Sequence, residues 1–189
     1  MGTIKTTNIE PIADNGTVTL GSSGDTFTVP SGVTVNMSSA TQTGVGGTNT
    51  PSFQAYMNGN QTISNASYNK LEMDAEVYDS DGKYDTSNYR FTPTVAGKYW
   101  VWGKFRYDDN SDIDSAIMAF YKNGSIFVKT TGFQTYVTTI QMAYTIELDT
   151  DDYIEIYAYQ NSGGNSTING NSSYPEQDIG TWGAYRIIT

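Results

Sequence analysis

Oxygen-bearing side chains recur at every second position in one acidic run of this 189-residue sequence, DDNSDID. They are Asp108, Asn110, Asp112 and Asp114. Carboxylate and amide oxygens in a loop are the ligands that Ca²⁺ takes in proteins, so calcium is one hypothesis for this run. A helix–loop–helix calcium site needs glycine at its sixth position, where this sequence has Ile113. We therefore favour a solvated turn, keep calcium as the alternative, and predict no other cofactor.

The absence of Cys and His narrows the possible catalytic chemistry. It excludes thiol nucleophiles, Ser-His-Asp triads and zinc sites built from thiolate or imidazole ligands. Paired carboxylates, as in glycoside hydrolysis, are the remaining candidates. No motif brings two carboxylates to the required separation, so we expect no catalytic residues and no enzymatic activity. The glutamates within predicted strands are Glu72, Glu76, Glu147 and Glu155.

The net charge is −10, from 20 acidic and 10 basic side chains. Binding to a phosphate backbone needs clustered Lys and Arg, so we expect no nucleic-acid partner. No stretch approaches the about 20 consecutive apolar residues of a membrane span, and we expect no membrane insertion. The opening sequence MGTIKTTNIEPIADNG also lacks the apolar segment of a secretory signal.

From residue 51 onward, runs of alternating apolar and polar residues are separated by turn residues. The 19 Gly and 15 Tyr are typical of short strands and turns, and no window shows sustained helical periodicity. Asn123-Gly124 is the strongest hairpin signal. We predict an all-β domain, a two-sheet sandwich or jelly roll. Its strands are expected near residues 52–57, 61–64, 68–77, 89–93, 98–108, 115–121, 125–130, 135–148, 153–160 and 182–188.

An eight-residue repeat precedes this region, with the units GTVTLGSS, GDTFTVPS and GVTVNM. Their glycines are Gly16, Gly24 and Gly32, and each unit has an apolar-Thr-apolar core, which predicts three very short strands. Such strands bury too little area to fold alone. Three interpretations follow: an arm lying on the main domain, a stalk in which several chains stack strands around a shared axis, or a disordered tail. The regular apolar spacing disfavours the tail.

The sequence SSATQTGVGGTNT, residues 38–50, has the composition of a flexible linker. We therefore place a boundary there. The predicted organisation is an N-terminal arm or stalk over residues 1–48 and an all-β head over residues 51–189.

Two tryptophans have an unusual setting in the predicted strand near 98–108. If the strand alternates, Tyr99, Val101, Gly103, Phe105 and Tyr107 form a core face. The opposite face then carries Lys98, Trp100, Trp102, Lys104 and Arg106. Large aromatics flanked by cations are not typical of a solvent face. We consider a subunit interface or cover by another segment, burial in the domain's own core, and a platform for a ligand such as a sugar.

The stretch DSDGKYDTSNYRFTPTVAGKYWVWG resembles the signature of the complement C1q and tumour-necrosis-factor-like (C1q/TNF-like) jelly-roll family. The matching positions are Asp79, Tyr84, Phe91, Gly97 and Tyr99. Three positions depart from the family pattern: Met73 stands where Phe is usual, and Val101 and Gly103 replace two aromatics. Further similarity extends over residues 51–189. The resemblance implies a ten-stranded jelly roll that assembles as a compact homotrimer.

The N-terminal sequence resembles that of small virion proteins of tailed marine bacteriophages, in which a thin segment attaches to the particle and a C1q-like knob points outward. This resemblance implies a virion attachment segment, for which we name Ile4, Ile9, Val18, Leu20, Phe27 and Val29. For the interface with other subunits or a neighbouring protein we name Trp100, Trp102, Tyr99, Phe91, Trp182 and Tyr185.

We therefore predict a virion structural protein, assembled in the host cytoplasm as a homotrimer that acts as a capsid decoration (cement) or fibre protein. Its expected partners are its own copies and major capsid or tail proteins. The alternative is a receptor-binding adhesin at a tail-fibre or spike tip, which recognises a host surface glycan or protein. A secreted bacterial C1q-like lectin is a third possibility, which the missing signal sequence disfavours.

Overall fold

The computed structural model divides the chain into two units, residues 1–45 and residues 46–189. No helix long and apolar enough to cross a membrane occurs in the part of the chain that is described. The residues that the structure describes are 9, 17–36, 49–107, 112–135, 138–170 and 180–187.

The second unit contains thirteen strands within these described ranges, and five of them are only two or three residues long. They are β1 (Ser52–Tyr56), β2 (Gln61–Ile63), β3 (Asn69–Lys70), β4 (Ala75–Asp79), β5 (Tyr84–Asp85), β6 (Arg90–Phe91), β7 (Gly97–Tyr107), β8 (Asp112–Lys122), β9 (Ser125–Thr135), β10 (Thr138–Leu148), β11 (Ile154–Gln160), β12 (Ser166–Ile168) and β13 (Thr181–Arg186).

The strands form two sheets in which all strand pairs are antiparallel. Sheet A has the order β2-β12-β7-β13-β1-β4, and β10 pairs along the other side of β7. Sheet B has the order β5-β6-β11-β8-β9, with β3 also paired to β11. Strand β13 therefore lies between β7 and β1. The structure confirms the predicted all-β, two-sheet sandwich.

The predicted hairpin at Asn123-Gly124 is confirmed. Both residues have positive φ, 52° and 76°, as the two central positions of a type I′ turn require. The Asn123 side chain also fixes the neighbouring loop, because its Nδ2 donates to Asp152 Oδ1 at 2.7 Å and its Oδ1 accepts from the Tyr153 N–H at 2.9 Å. This turn sets the register of β8 on β9, in which Lys122 pairs with Ser125.

The core between the sheets is centred on Phe53 of β1. Its ring stacks on Tyr84 and Phe91, with centroid distances of 4.8 and 4.6 Å, and meets the edge of Trp182 at 4.9 Å. Phe53, Phe91 and Trp182 have no exposed surface. Burial of each such ring stabilises the fold by about 1.5–3 kcal/mol. The prediction that Phe91 and Trp182 contact a neighbour is therefore wrong, because the protomer itself encloses both side chains.

Gly103 leaves a space in the core that Ile156 and Trp182 share. Trp182 is the direct cross-strand partner of Gly103 on β13. A β-carbon on Gly103 would stand 2.8 Å from Ile156 Cδ1 and 3.3 Å from Trp182 Cβ. The glycine that departs from the family signature thus makes room for Ile156 of sheet B and for the base of the Trp182 side chain.

Some strands differ from the sequence-based expectation. The predicted strand near 68–77 is two separate strands, β3 and β4, and neither β5 nor β12 was predicted. These elements are short, so they show too few residues for an alternating pattern to be recognised. The long strands β7, β8 and β11 lie close to their predicted positions.

Residues 17–36 of the first unit contain two turns and no strand. The three very short strands that the repeat predicts are therefore not formed within the single chain. Gly24 and Gly32 each occupy a turn with positive φ, 93° and 83°. A two-residue hairpin uses type I′ or II′ turns, because these match the twist of the flanking strands. In the turns of Gly24 and Gly32 only the third position has positive φ, and such a turn directs the flanking segments apart.

Candidate functional site

Strand β7 places aromatic side chains on both sides of sheet A. Tyr99, Val101 and Phe105 point into the core and are buried. Trp100 and Trp102 point outward; Trp100 is 37% exposed and Trp102 is half-buried. The alternation predicted from the sequence is confirmed, and it removes Tyr99 from the predicted interface because that side chain has no exposed surface.

The outward aromatic side chains continue across neighbouring strands. Trp100 pairs with Tyr185 of β13, and Tyr78 of β4 pairs with Gln54, which shares the outer side of the sheet. Tyr185 is 37% exposed and Tyr78 is 47% exposed. We call this surface the aromatic face; it comprises Tyr56, Tyr78, Trp100, Trp102 and Tyr185.

The Trp102 ring packs closely over Gly183. Gly183 is its cross-strand partner on β13, and a β-carbon there would stand 3.0 Å from Cζ2 of the indole. On the other side, Trp102 borders a shallow depression of about 400 Å³ lined also by Lys104, Gln141 and Ala143. The ring therefore has one face against the sheet and one edge open to a partner.

Cationic side chains surround the aromatic face. Lys98 is exposed, and Lys104 and Arg106 are half-buried on the same side of β7. Glu147 of β10 is the direct cross-strand partner of Lys98, so an acidic side chain lies beside these cations at one end of β7.

A second apolar surface lies at the open edge of the sandwich. The edge strand β9 of sheet B carries Ile126 and Phe127, which are 43% and 47% exposed, and β10 of sheet A carries Tyr144, which is 45% exposed. The rings of Phe127 and Tyr144 meet edge to face with centroids 6.1 Å apart. We call these three residues the apolar edge.

The outer side of sheet B is different, because its polar groups are paired within the protomer. Lys70 Nζ lies 2.9 Å from Glu155 Oε1, and the Tyr157 hydroxyl donates to Glu155 Oε2 at 3.3 Å. Tyr121 stacks on Tyr157 with centroids 3.8 Å apart. Burial, and then the nearby Glu155 carboxylate, raise the pKa of Tyr157 to about 12. Tyr68 and Tyr159 extend this cluster of half-buried tyrosines.

Comparison with solved structures identifies the fold. The globular domain of zebrafish complement 1qA protein superposes with a TM-score of 0.52, at 10% identity, over 72% of this chain and 97% of that one. Murine APRIL superposes with a TM-score of 0.53, at 8% identity, over 72% of this chain and 98% of that one. This head has the C1q/TNF-like jelly-roll fold.

The amino-acid sequence shows less similarity to known proteins than the C1q/TNF-like fold of the head does. No protein-family model matches the chain. A curated relative, the phage-like element PBSX protein XkdV of Bacillus subtilis (strain 168), is 25% identical over 119 residues. Those residues are 58% of this chain, which spans only 17% of the length of XkdV.

Most of the side chains predicted to bind calcium lie outside the residues that the structure describes. Asp108 and Asn110 lie outside the described residues, as does the side chain of Asp112, and Asp114 is exposed. Within the ranges that are described, no group of three Asp or Glu side chains is placed to hold a metal ion. Calcium at this run stays a prediction.

The glutamates weighed for catalysis have separate settings. Glu72, Glu76 and Glu147 are exposed, whereas Glu155 is buried in its ion pair with Lys70. The absence of enzymatic activity stays a prediction.

The residues predicted for virion attachment are exposed wherever they are described. Exposure is 60% for Ile9, 41% for Val18, 63% for Leu20, 71% for Phe27 and 37% for Val29. Ile4 lies outside the described residues. Their contact with a virion protein stays a prediction.

Sequence reasoning missed Tyr78 and the whole apolar edge. The pairing of β8 with β9 shifts between Phe120 and Tyr121, so that Val128 and Ile126 are successive partners and Phe127 is the extra residue of a bulge. A bulge reverses the alternation locally, which brings Ile126 and Phe127 to the surface together. No residue type in this stretch marks that reversal.

Proposed function

We propose that this protein is a non-enzymatic structural component of a phage virion, in which three C1q/TNF-like heads associate and residues 1–48 attach the trimer to a capsid or tail protein. The observation that carries the proposal is the exposed aromatic face, which includes Trp100 and its cross-strand partner Tyr185. The similarity to a protein of a phage-like element supports the phage association. The N-terminal resemblance to phage virion proteins supports attachment through the arm.

A cyclic homotrimer is the assembly that fits the two apolar surfaces. The aromatic face and the apolar edge are different patches of one protomer, so an interface that joins them is heterologous. A heterologous contact leaves one face and one edge free in a dimer, whereas any closed ring covers all of them, and the C1q/TNF-like resemblance implies a ring of three. Contiguous apolar surface of this kind on a soluble protein is typical of an interaction site.

Light scattering on the full chain tests the assembly. We expect a particle mass of three times the 20.7 kDa chain. A mass of one chain at micromolar concentration would exclude the trimer.

Electron microscopy of phage particles, with the protein labelled through a fused tag, tests its location in the virion. Many copies over the capsid support a decoration role, a few copies at the tail support a fibre, and absence of label from purified particles contradicts the proposal.

A receptor-binding adhesin is the second candidate, favoured by the tyrosine cluster of sheet B. Aromatic rings are common platforms for sugars, and Tyr68, Tyr121, Tyr157 and Tyr159 lie together on a side of the domain away from the aromatic face. Saturation-transfer NMR with host surface polysaccharide tests this function. Signal that is lost in Tyr159→Ala and kept in Trp100→Ala would support it, and no transfer in the wild type would exclude binding of that polysaccharide.

A further inference from the structure

Residues 17–36 expose every side chain that they contain. Six of these are apolar, and they occur as three pairs: Val18 with Leu20, Phe27 with Val29, and Val33 with Val35. Their exposed fractions run from 37% to 71%. Within each pair the two apolar residues flank a threonine, so an extended backbone places both on one side and the hydroxyl on the other.

Two turns of the same kind separate the pairs. In the first, the Asp25 N–H donates to the Ser22 carbonyl at 3.0 Å; in the second, the Val33 N–H donates to the Pro30 carbonyl at 3.2 Å. Each turn has Ser-Gly at its centre and a glycine with positive φ at its third position. The two glycines are eight residues apart, so the segment repeats one local geometry.

Within the described part of the chain, this regular segment belongs to no β ladder over residues 17–35. Its extended stretches therefore present backbone donors and acceptors as an unpaired strand does, together with the apolar pairs. Both groups are covered when extended stretches of other chains align beside them.

We infer that residues 17–36 form a three-chain β stalk, in which each apolar pair packs against the same pair of two other copies. The inference rests on the proposed homotrimer, which supplies the second and third strands. Identical chains carry identical repeats, so three of them in register bring six apolar side chains together at each level. The threonines then face water.

Charge favours copies of this chain as the partner. Asp25 is the only charged residue among 17–36, although the chain as a whole carries a charge of −10. Its Oδ2 accepts a hydrogen bond from the Ser22 N–H at 2.6 Å, which holds the carboxylate at the turn. Three such segments can therefore approach closely with little repulsion between like charges.

The stalk separates two roles within the arm. Val18, Leu20, Phe27 and Val29 become internal packing residues of the trimer instead of contacts to the virion. Attachment is then left to the sequence that precedes the repeat, which contains Ile4 and Ile9.

Single cysteines test the stalk directly, because the natural chain has none. We would compare Val29→Cys with Thr28→Cys, its neighbour on the opposite side of the extended backbone, in the full-length protein. In the proposed stalk the Val29→Cys thiol lies inside and the Thr28→Cys thiol faces water, so access to a reagent distinguishes the two positions. With a water-soluble maleimide, Val29→Cys in the trimer should react at least tenfold more slowly than Thr28→Cys. Leu20→Cys against Thr19→Cys repeats the comparison one unit earlier.

Light scattering on the same samples separates the possible failures. Trimers in which the two thiols react at equal rates would overturn the stalk while the proposed trimer stands. A thiol of Val29→Cys that reacts freely in the isolated trimer and is protected only on the virion would assign the apolar pairs to a virion protein and overturn the inference. Monomers would overturn the proposed assembly itself.

Discussion

Trp102 and Gly183 are direct cross-strand partners, and the same two strands pair Trp182 with Gly103 in the adjacent position. Each strand contains a Trp-Gly dipeptide, and the two dipeptides run antiparallel. Trp102 therefore lies beside Gly183 on the outer side of sheet A, and Trp182 lies beside Gly103 on the core side. A slip of one residue in one direction would place Trp102 opposite Trp182, and a slip in the other direction would place Gly103 opposite Gly183. The pairing therefore specifies the register of these two strands.

Gly183→Ala should disturb this arrangement. Its β-carbon would stand 2.6 Å from the Phe53 carbonyl oxygen and 3.0 Å from the Trp102 ring. We expect the free energy of unfolding to fall by about 1–3 kcal/mol, the usual cost of overpacking. Urea unfolding followed by tryptophan fluorescence measures it. Gly164→Ala is the matched control, because a β-carbon there meets nothing within 4 Å; equal effects of the two substitutions would contradict the argument.

Trp100→Ala should weaken the trimer without unfolding the head, because the side chain is partly exposed on the aromatic face, beside its cross-strand partner Tyr185. Tyr144→Ala should do the same from the apolar edge. We expect each to raise the dissociation constant by at least tenfold, measured by sedimentation equilibrium. Val95→Ala, at the same 37% exposure as Trp100 but outside both surfaces, should leave it unchanged. Unaltered dissociation in both aromatic variants would place the interface elsewhere.

Tyr84→Phe should destabilise the core although it changes no apolar contact. The buried Tyr84 hydroxyl donates to the Met73 carbonyl at 2.7 Å and accepts from Trp182 Nε1 at 3.4 Å. Both partners lose a hydrogen bond in a site from which water is excluded, so we expect a loss of about 1–2 kcal/mol in urea unfolding. Tyr89→Phe, at a half-buried side chain outside both apolar surfaces, is the control. A loss no larger than that of the control would show that the buried hydrogen bonds contribute no net stability.

Asp152 should make the stability of the head depend on pH in the acidic range. Burial alone would raise its pKa, but the Asp149 N–H, Lys122 and Asn123 stabilise the carboxylate and lower the pKa to about 2. A lowered pKa in the folded state stabilises the protein above about pH 4, and this contribution is lost as the pH falls toward 2. At pH 7, Asp152→Asn should cost about 1–2 kcal/mol in chemical unfolding, and the difference from wild type should shrink by pH 2.5. Asp151→Asn, in the same loop and exposed, should show no such trend. A constant difference would contradict the lowered pKa.

The sequence predicted the two-sheet sandwich and the two sides of β7 because a long strand alternates over many residues. It did not separate core from surface among the other aromatic residues. Phe91 and Trp182 are buried because of their partners across the sandwich, Phe53 above all, and such partners are distant in sequence. The apolar edge depends on the bulge at Phe127, which arises from pairing with β8. The short strands predicted from the repeat are not formed among the described residues 17–36, because so short an apolar pattern does not specify a partner strand.

The position of β13 also determines when the head can form. Strand β1 pairs only with β13 and β4 among the described strands, so β1 and β4 join the rest of sheet A through β13. During translation, β13 emerges after all twelve other strands. Until then the two halves of sheet A have no ladder between them, and the aromatic face lacks Tyr185. A chain interrupted before β13 therefore cannot complete sheet A, and in the proposed trimer it would lack part of the aromatic face.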